Sequence, residues 1–161
     1  MTIYYEYYKS PVGTLLLAGD GENIAHLGFP SGKMKLRHEH SWTKDESPFK
    51  QAVSQLEAFF EGELKKFDLP LFLTGTPFRQ SVWAGLMDIP YGETWSYSQL
   101  AHHIGAPNAC RAVGSANGVN PVPIVVPCHR VVGSNGSLTG FGGGLKIKEF
   151  LLELESKNVH R

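Results

Sequence analysis

Apolar positions follow two different periods along this chain, and the switch between them divides it into two parts. The first 75 residues begin with strand-like sequence. Tyr4 to Tyr8 is rich in aromatics, Thr14-Leu15-Leu16-Leu17-Ala18 is a short apolar run, and Ile24-Ala25-His26-Leu27-Gly28-Phe29 is another. Between the last two lies Gly19-Asp20-Gly21-Glu22-Asn23, a run of turn formers, so a hairpin or meander is predicted. Ser47-Pro48 opens a helix with Phe49, Val53, Leu56, Phe59 and Phe60 on one face, closing near Gly62. Strands beside a helix predict a small α/β domain over 1–75. Its histidines His26, His38 and His40 read as surface or satisfied core residues rather than ligands.

Leu73-Thr74-Gly75-Thr76-Pro77 marks the boundary, and a mainly α domain over 76–161 is expected beyond it. Phe78, Val82, Leu86 and Ile89 recur at helical spacing, with Trp83 beside them, up to Pro90-Tyr91-Gly92. Ser96-Tyr97-Ser98 caps a short helix carrying Leu100, Ala101 and Ile104, which Gly105 ends. Pro107 starts another, running from Asn108 to about Asn117. This pair has helix-turn-helix proportions, and it equally fits a plain helical hairpin packed in a core. In the second helix Ala109, Ala112, Val113 and Ala116 are expected inside, with Asn108, Arg111 and Ser115 outside. A slim outer face with a single cation suits close approach to a DNA backbone, with the arginine pushed into the base stack. A last helix begins near Lys146, its apolar face formed by Ile147, Phe150, Leu151 and Leu154.

Composition narrows the class. The chain has 161 residues, enough for one ordinary domain or two small ones sharing a core. No apolar run approaches the roughly 20 residues that span a bilayer. The N-terminal text has no basic stretch followed by an apolar segment, so cytoplasmic residence is expected. Two cysteines, Cys110 and Cys128, make no disulfide framework and no zinc spacing, so neither a metal nor a cofactor is expected. Formal net charge is zero, the first half slightly acidic and the second slightly basic, which by itself announces no nucleic-acid partner.

The chemistry concentrates in Pro127-Cys128-His129-Arg130, between the apolar runs Ile124-Val125-Val126 and Val131-Val132. A cysteine in an apolar run is often only a small core hydrophobe. Here a proline precedes the thiol and two polar side chains follow it, which favours a semi-buried turn over a paired strand. A free thiol has a pKa of about 8.5, and an imidazole able to take its proton would make it a strong soft nucleophile. On local pattern alone both readings stand.

Arg111-Ala112-Val113-Gly114, the unbroken run Asn120-Pro121-Val122-Pro123 through Gly133, Gly140-Phe141-Gly142-Gly143-Gly144, and Lys148-Glu149-Phe150-Leu151-Leu152 together closely resemble the methylated-DNA–protein-cysteine methyltransferases, suicide repair proteins for 6-O-alkylguanine. The resemblance covers residues 77 to 156; residues 1 to 75 resemble the family's ribonuclease-H-like domain only loosely. It implies an α/β N-terminal domain and a mainly α C-terminal domain with a winged helix-turn-helix-like DNA-binding motif.

The resemblance also implies roles. Cys128 would accept the alkyl group, His129 would take the thiol proton through a bridging water, and Glu155 would orient His129 and stabilise its cation. Lowering the thiol pKa by about two units would correspond to roughly 2.7 kcal/mol. Asn120 would tie the preceding turn to the site. The target nucleotide would be rotated out of duplex DNA, with Arg111 filling its place and Tyr97 assisting rotation and protonating the leaving guanine. Ser98, Ser115 and Ser134 would join Arg111 and Tyr97 on the DNA. Pro123, Val131, Phe141 and Gly142 would surround the base. Several family members have Tyr at position 141 and Ser at 142, so backbone N–H groups of Gly142-Gly143-Gly144 would replace a hydroxyl contact here. Asn117 stands where some relatives carry a larger apolar residue.

A thioether on Cys128 is not released by water, and Cys110, expected on the inward or flanking side of its helix, offers no route to regeneration. The expected reaction is one alkyl transfer per monomeric molecule, from 6-O-methylguanine and also 4-O-methylthymine in double-stranded DNA. Three rivals differ from it. A cysteine hydrolase using Cys128, His129 and Glu155 would turn over. A sensor of alkylated bases would lack the acceptor cysteine. A transcription factor would present more base-reading side chains than one arginine.

Overall fold

The structure, a computed structural model, describes residues 1–32 and 36–161. Strands β1 (Tyr4–Ser10), β2 (Gly13–Gly19) and β3 (Ile24–Gly28) form the predicted antiparallel meander. A two-residue β4 (Thr43–Lys44), not foreseen, runs parallel to β1, giving the order β3-β2-β1-β4. The β1–β2 turn reverses at Gly13, whose φ of 108° only glycine adopts freely. In the β2–β3 turn the Asp20 carboxylate accepts the backbone N–H groups of Glu22 and Asn23, at 2.9 and 2.7 Å. Leu15, Leu16, Leu17 and Ala18 of β2 are all buried, because the strand is covered on both faces.

Residues Ser47–Phe49 form a 3₁₀ turn that leads into α1 (Lys50–Phe60), which buries Ala52, Leu56 and Phe59 against the sheet. The chain then crosses to the C-terminal part along the edge of β3, where Ile24 N–H donates to Pro70 O and Phe72 N–H to Ile24 O. Thr76 caps α2 (Pro77–Leu86) by accepting from Arg79 N–H, with Pro77 at the first helical position.

Ser96 and Gln99 form a reciprocal capping box that starts α3 (Tyr97–His103). Gly105, at φ 78°, turns the chain toward α4 (Cys110–Gly118). This helix starts two residues later than expected, since Pro107 and Asn108 belong to the turn before it. Its inner side differs from the predicted one. Val113, Ala116 and Asn117 are buried, while Ala112 and Cys110 are exposed. Trp83 Nε1 donates to Ala116 O at 2.9 Å and ties that side of the helix to α2. Short strands β5 (Trp95–Ser96) and β6 (Val131–Val132) pair in parallel and hold the motif beside α3.

Helix α5 (Leu145–Asn158) closes the fold. Its inward stripe is Lys148, Leu151 and Glu155, at spacings of three and four, whereas Phe150 is largely exposed. One apolar cluster runs through both parts, from Leu15 and Phe29 to Val126 and Leu151. The two parts therefore share a core. Among the described residues no helix is long and apolar enough to cross a membrane.

Candidate active site

The segment from Asn120 to Cys128 is a tight, buried turn held by its own polar groups. Asn120 Nδ2 donates to Val126 O at 2.8 Å, and its Oδ1 accepts from Val122 N–H at 3.0 Å. Ile124 takes φ 74°, a left-handed conformation that a β-branched residue adopts only when its surroundings impose it. Cys128 begins a 3₁₀ turn, Cys128–Arg130, and all three of its residues are buried.

Following the thiol in sequence, His129 and Arg130 join Glu155 in a buried polar network. His129 Nε2 meets Glu155 Oε2 at 2.6 Å. Arg130 donates to the same carboxylate twice, Nε to Oε1 at 2.8 Å and Nη2 to Oε2 at 3.0 Å, and its Nη1 donates to Ile89 O. Gly92 N–H adds a further donor to Oε1 at 3.1 Å. Burial alone would raise the Glu155 pKa, but the hydrogen bonds from His129 and Arg130 and the Arg130 charge outweigh it and keep the group ionised. An ionised acceptor requires the His129 proton on Nε2, which leaves Nδ1 as the free lone pair. That Nδ1 is buried with no hydrogen-bond partner among the described residues. Burial also lowers the His129 pKa, against the opposing pull of Glu155, so the ring rests neutral.

The thiol is not activated at rest. Burial pushes Cys128 up to about 11, only partly offset by the Asn120 side chain and the charge of Lys148. This corrects the expectation of a lowered thiol pKa. A neighbouring neutral imidazole carries no charge to stabilise a thiolate, and desolvation dominates.

Cys128, Asn120, Pro123, Phe141 and Gly142 are brought together around a cavity completed by Phe29, Asn117, Gly118 and Gly140. Its free volume is about 20 Å³, room for one water and not for a purine. A groove of about 660 Å³ adjoins it, sharing Gly118, Gly140, Phe141 and Gly142 and lined further by Tyr97 and Gly114. The Tyr97 hydroxyl is hydrogen-bonded to Thr139 Oγ1 at 2.5 Å. Val131 does not line the cavity. Its side chain is fully buried on β6, and its carbonyl accepts from Lys148 Nζ at 2.6 Å. Arg111, Ser98, Ser115 and Ser134 are exposed and lie outside the cavity.

Sequence reasoning missed Arg130, Lys148, Thr139 and Phe29. Lys148 is completely buried, donating to Val131 O and Thr139 O, and burial lowers its pKa. The spacing of Lys148, Leu151 and Glu155 along one helix face was the available signal for it. Arg130 adjoins the motif, but an arginine in sequence defaults to the surface and gives no local sign of burial. Nothing local marks Phe29. Among the described residues no cluster of histidine, cysteine or carboxylate side chains could hold a metal ion.

The 6-O-methylguanine DNA methyltransferase DNA binding domain model matches residues 77–157, and the ribonuclease-like domain model of the same family matches residues 3–73. The chain belongs to the 6-O-methylguanine DNA methyltransferase family. It is 54% identical to the methylated-DNA–protein-cysteine methyltransferase of Methanosarcina acetivorans, over 95% of this chain and 98% of the relative. With the Mycobacterium tuberculosis enzyme of the same name it shares 52% identity, over 98% and 94%. Among solved structures, the Mycobacterium tuberculosis OGT in complex with DNA is similar with a TM-score of 0.90 at 50% identity, covering 96% of this chain and 94% of that one. The O6-methylguanine-DNA methyltransferase of Pyrococcus kodakaraensis follows at a TM-score of 0.68 and 25% identity, covering 96% and 99%.

Proposed function

We propose that this chain repairs alkylated DNA by moving the alkyl group of 6-O-alkylguanine onto its own Cys128. The observation that carries this reading is the cavity itself: a buried thiol in its lining, a groove adjoining it, and, next to the thiol in sequence, a buried histidine whose Nδ1 has no hydrogen-bond partner among the described residues.

The thiol proton passes to His129 Nδ1, directly or through a water, and the imidazolium is stabilised by the ionised Glu155 on its far side. With the thiol held at about 11, a free thiolate at pH 7 would cost about 5 kcal/mol. Proton transfer to His129 coupled to attack avoids accumulating that species. The sulfur attacks the alkyl carbon, an S–C bond forms, the C–O bond breaks, and its electrons remain on the guanine. Tyr97 supplies the proton that neutralises the departing base, solvent restores the phenol, and the His129 imidazolium returns the thiol's proton to solvent. The hydrogen once on sulfur has been exchanged for an alkyl group, and the base is unmodified guanine.

Duplex DNA is the partner this geometry suits. The cavity lies too deep for a stacked base, so the nucleotide rotates out, at a cost of a few kcal/mol that is smaller for a damaged base. Arg111 on the outer face of α4 fills the gap, with Ser98, Ser115 and Ser134 contacting the DNA. Asn120 holds the acceptor turn, and Pro123, Phe141 and Gly142 flank the base. The α3–α4 pair acts as the helix-turn-helix, the protein works as a monomer, and 4-O-methylthymine is a second substrate. A thioether has no hydrolytic exit, so each molecule reacts once.

Intact-mass measurement after incubation with a duplex containing 6-O-methylguanine tests this. One added methyl group per chain, mapped to Cys128 and absent from Cys128→Ala, is the expected result. More than one product per protein molecule, as a hydrolase would give, overturns it.

A further inference from the structure

The cavity around Cys128 is not built by the C-terminal part alone. Phe29, the residue that follows β3 in the N-terminal sheet, is buried at 1% exposure and lines the same cavity as Cys128, Pro123 and Phe141. We propose that Phe29 sets which alkyl groups the protein accepts, its ring being the inner wall against which the group comes to rest. This rests on the alkyl-transfer reading above and adds a specificity-determining residue to it.

The geometry separates an inner end from a mouth. Phe29, Asn117, Asn120, Pro123 and Cys128 line the cavity and not the groove, whereas Gly118, Gly140, Phe141 and Gly142 line both. A base entering from the groove passes the shared residues first. It therefore presents its 6-O-substituent to the inner end, where the thiol and the Phe29 ring are.

Phe29 is also the more firmly held wall on the side of the glycine loop, although its far side borders a second cavity of about 470 Å³ with Leu16 and Pro30. Leu27 N–H donates to Pro121 O at 2.9 Å, fastening the end of β3 to the turn that carries the acceptor cysteine. A Cβ at Gly143 would stand 2.8 Å from the Phe29 ring, and a Cβ at Gly32 would stand 2.3 Å from Gly142 O. The segment after β3 and the glycine loop are thus in backbone-level contact and leave the ring no space on that side. Phe141 packs on Phe29 with ring centroids 5.3 Å apart, tilted at 58°, yet it is only half-buried on a glycine-flanked loop. When a base enters, the half-buried Phe141 yields more readily than the buried Phe29. Closely packed walls discriminate by size, a single methylene being worth about 10- to 200-fold.

The experiment compares rates of Cys128 alkylation by duplexes carrying 6-O-methylguanine or 6-O-benzylguanine, in wild type, Phe29→Leu and Phe29→Trp. Melting temperatures establish which variants are folded, and Phe29→Met replaces Phe29→Leu should that variant not fold. The smaller side chain is expected to raise the benzyl-to-methyl rate ratio at least about tenfold, and tryptophan to lower it by a similar factor. A ratio unchanged within about twofold in the folded variants overturns the role of Phe29. A wild-type protein that gains no methyl from the first duplex overturns alkyl transfer itself, so the two failures are distinguishable.

Discussion

Glu155 and Arg130 form a buried two-pronged ion pair, Nε to Oε1 at 2.8 Å and Nη2 to Oε2 at 3.0 Å, with Glu155 itself 1% exposed. The carboxylate that orients His129 is therefore also the counterion of a buried guanidinium. Glu155→Gln removes the charge and leaves Arg130 uncompensated in the interior. Breaking such a pair costs about 3–5 kcal/mol, and denaturant unfolding should show a loss of that order together with slower alkyl transfer. A stability within about 1 kcal/mol of wild type would mean the pair carries little weight.

The raised Cys128 pKa makes stability depend on alkaline pH. The thiol ionises near 9 when unfolded and at about 11 when folded. A group with a raised folded pKa gives stability that is fully present below its unfolded value and is lost as pH rises through the folded one. Wild type should therefore lose up to about 3 kcal/mol relative to Cys128→Ala between pH 9 and 11. Parallel unfolding curves for the two proteins across that range would place the thiol in a more polar setting than the buried turn described here. At the acid end the signs reverse. His129 and Glu155 have lowered folded pKa values, so their contributions are present above the unfolded values and are lost as pH falls below about 6.5 and then 4.5.

Much of this site could be read from the sequence, and the rest was hidden for identifiable reasons. The strands β1 to β3, the helix after Ser47-Pro48 and the capped helix at Ser96 are local signals, and each lies where its pattern puts it. The residues that meet around Cys128 and carry the resemblance were legible because they fall in nearly continuous runs. Residues buried against expectation were not. Arg130 and Lys148 are cations whose burial depends on partners distant in sequence, Glu155 for one and the Val131 and Thr139 carbonyls for the other. Phe29 reads as the end of a strand, and only the packing of the sheet against the Gly140–Gly144 loop brings it to the thiol. The thiol pKa was misjudged for the same reason, since adjacency to histidine is visible in sequence and desolvation is not.

Tyr97 is engaged before any base arrives, its hydroxyl bonded to Thr139 Oγ1. If the phenol protonates the departing guanine, it must leave this partner, and removing the partner should not harm transfer. Tyr97→Phe is expected to slow the single-turnover rate by about 10²-fold, the lower range for a lost general acid. Thr139→Val, which breaks the same resting hydrogen bond, should leave the rate within about threefold of wild type or raise it. Equal losses in the two variants would instead make the Tyr97–Thr139 bond a brace for the loop, with no proton donated from the phenol.

Arg111, as a proposed DNA contact, offers a way to separate binding of DNA from chemistry at the thiol. It is exposed on α4, on the side away from Val113 and Ala116, and lines neither the cavity nor the adjoining groove. A residue there does nothing for a free base entering the pocket. In the proposed role it would lower the cost of extracting a nucleotide from a duplex, where stacking must be replaced. Arg111→Ala should reduce the alkylation rate with a 6-O-methylguanine duplex at least about tenfold, the equivalent of losing 1.4 kcal/mol. With the free base analogue 6-O-benzylguanine it should change the rate by less than about twofold. Quench-flow or mass measurements on both substrates check this, and matched losses would assign Arg111 to the integrity of α4 instead.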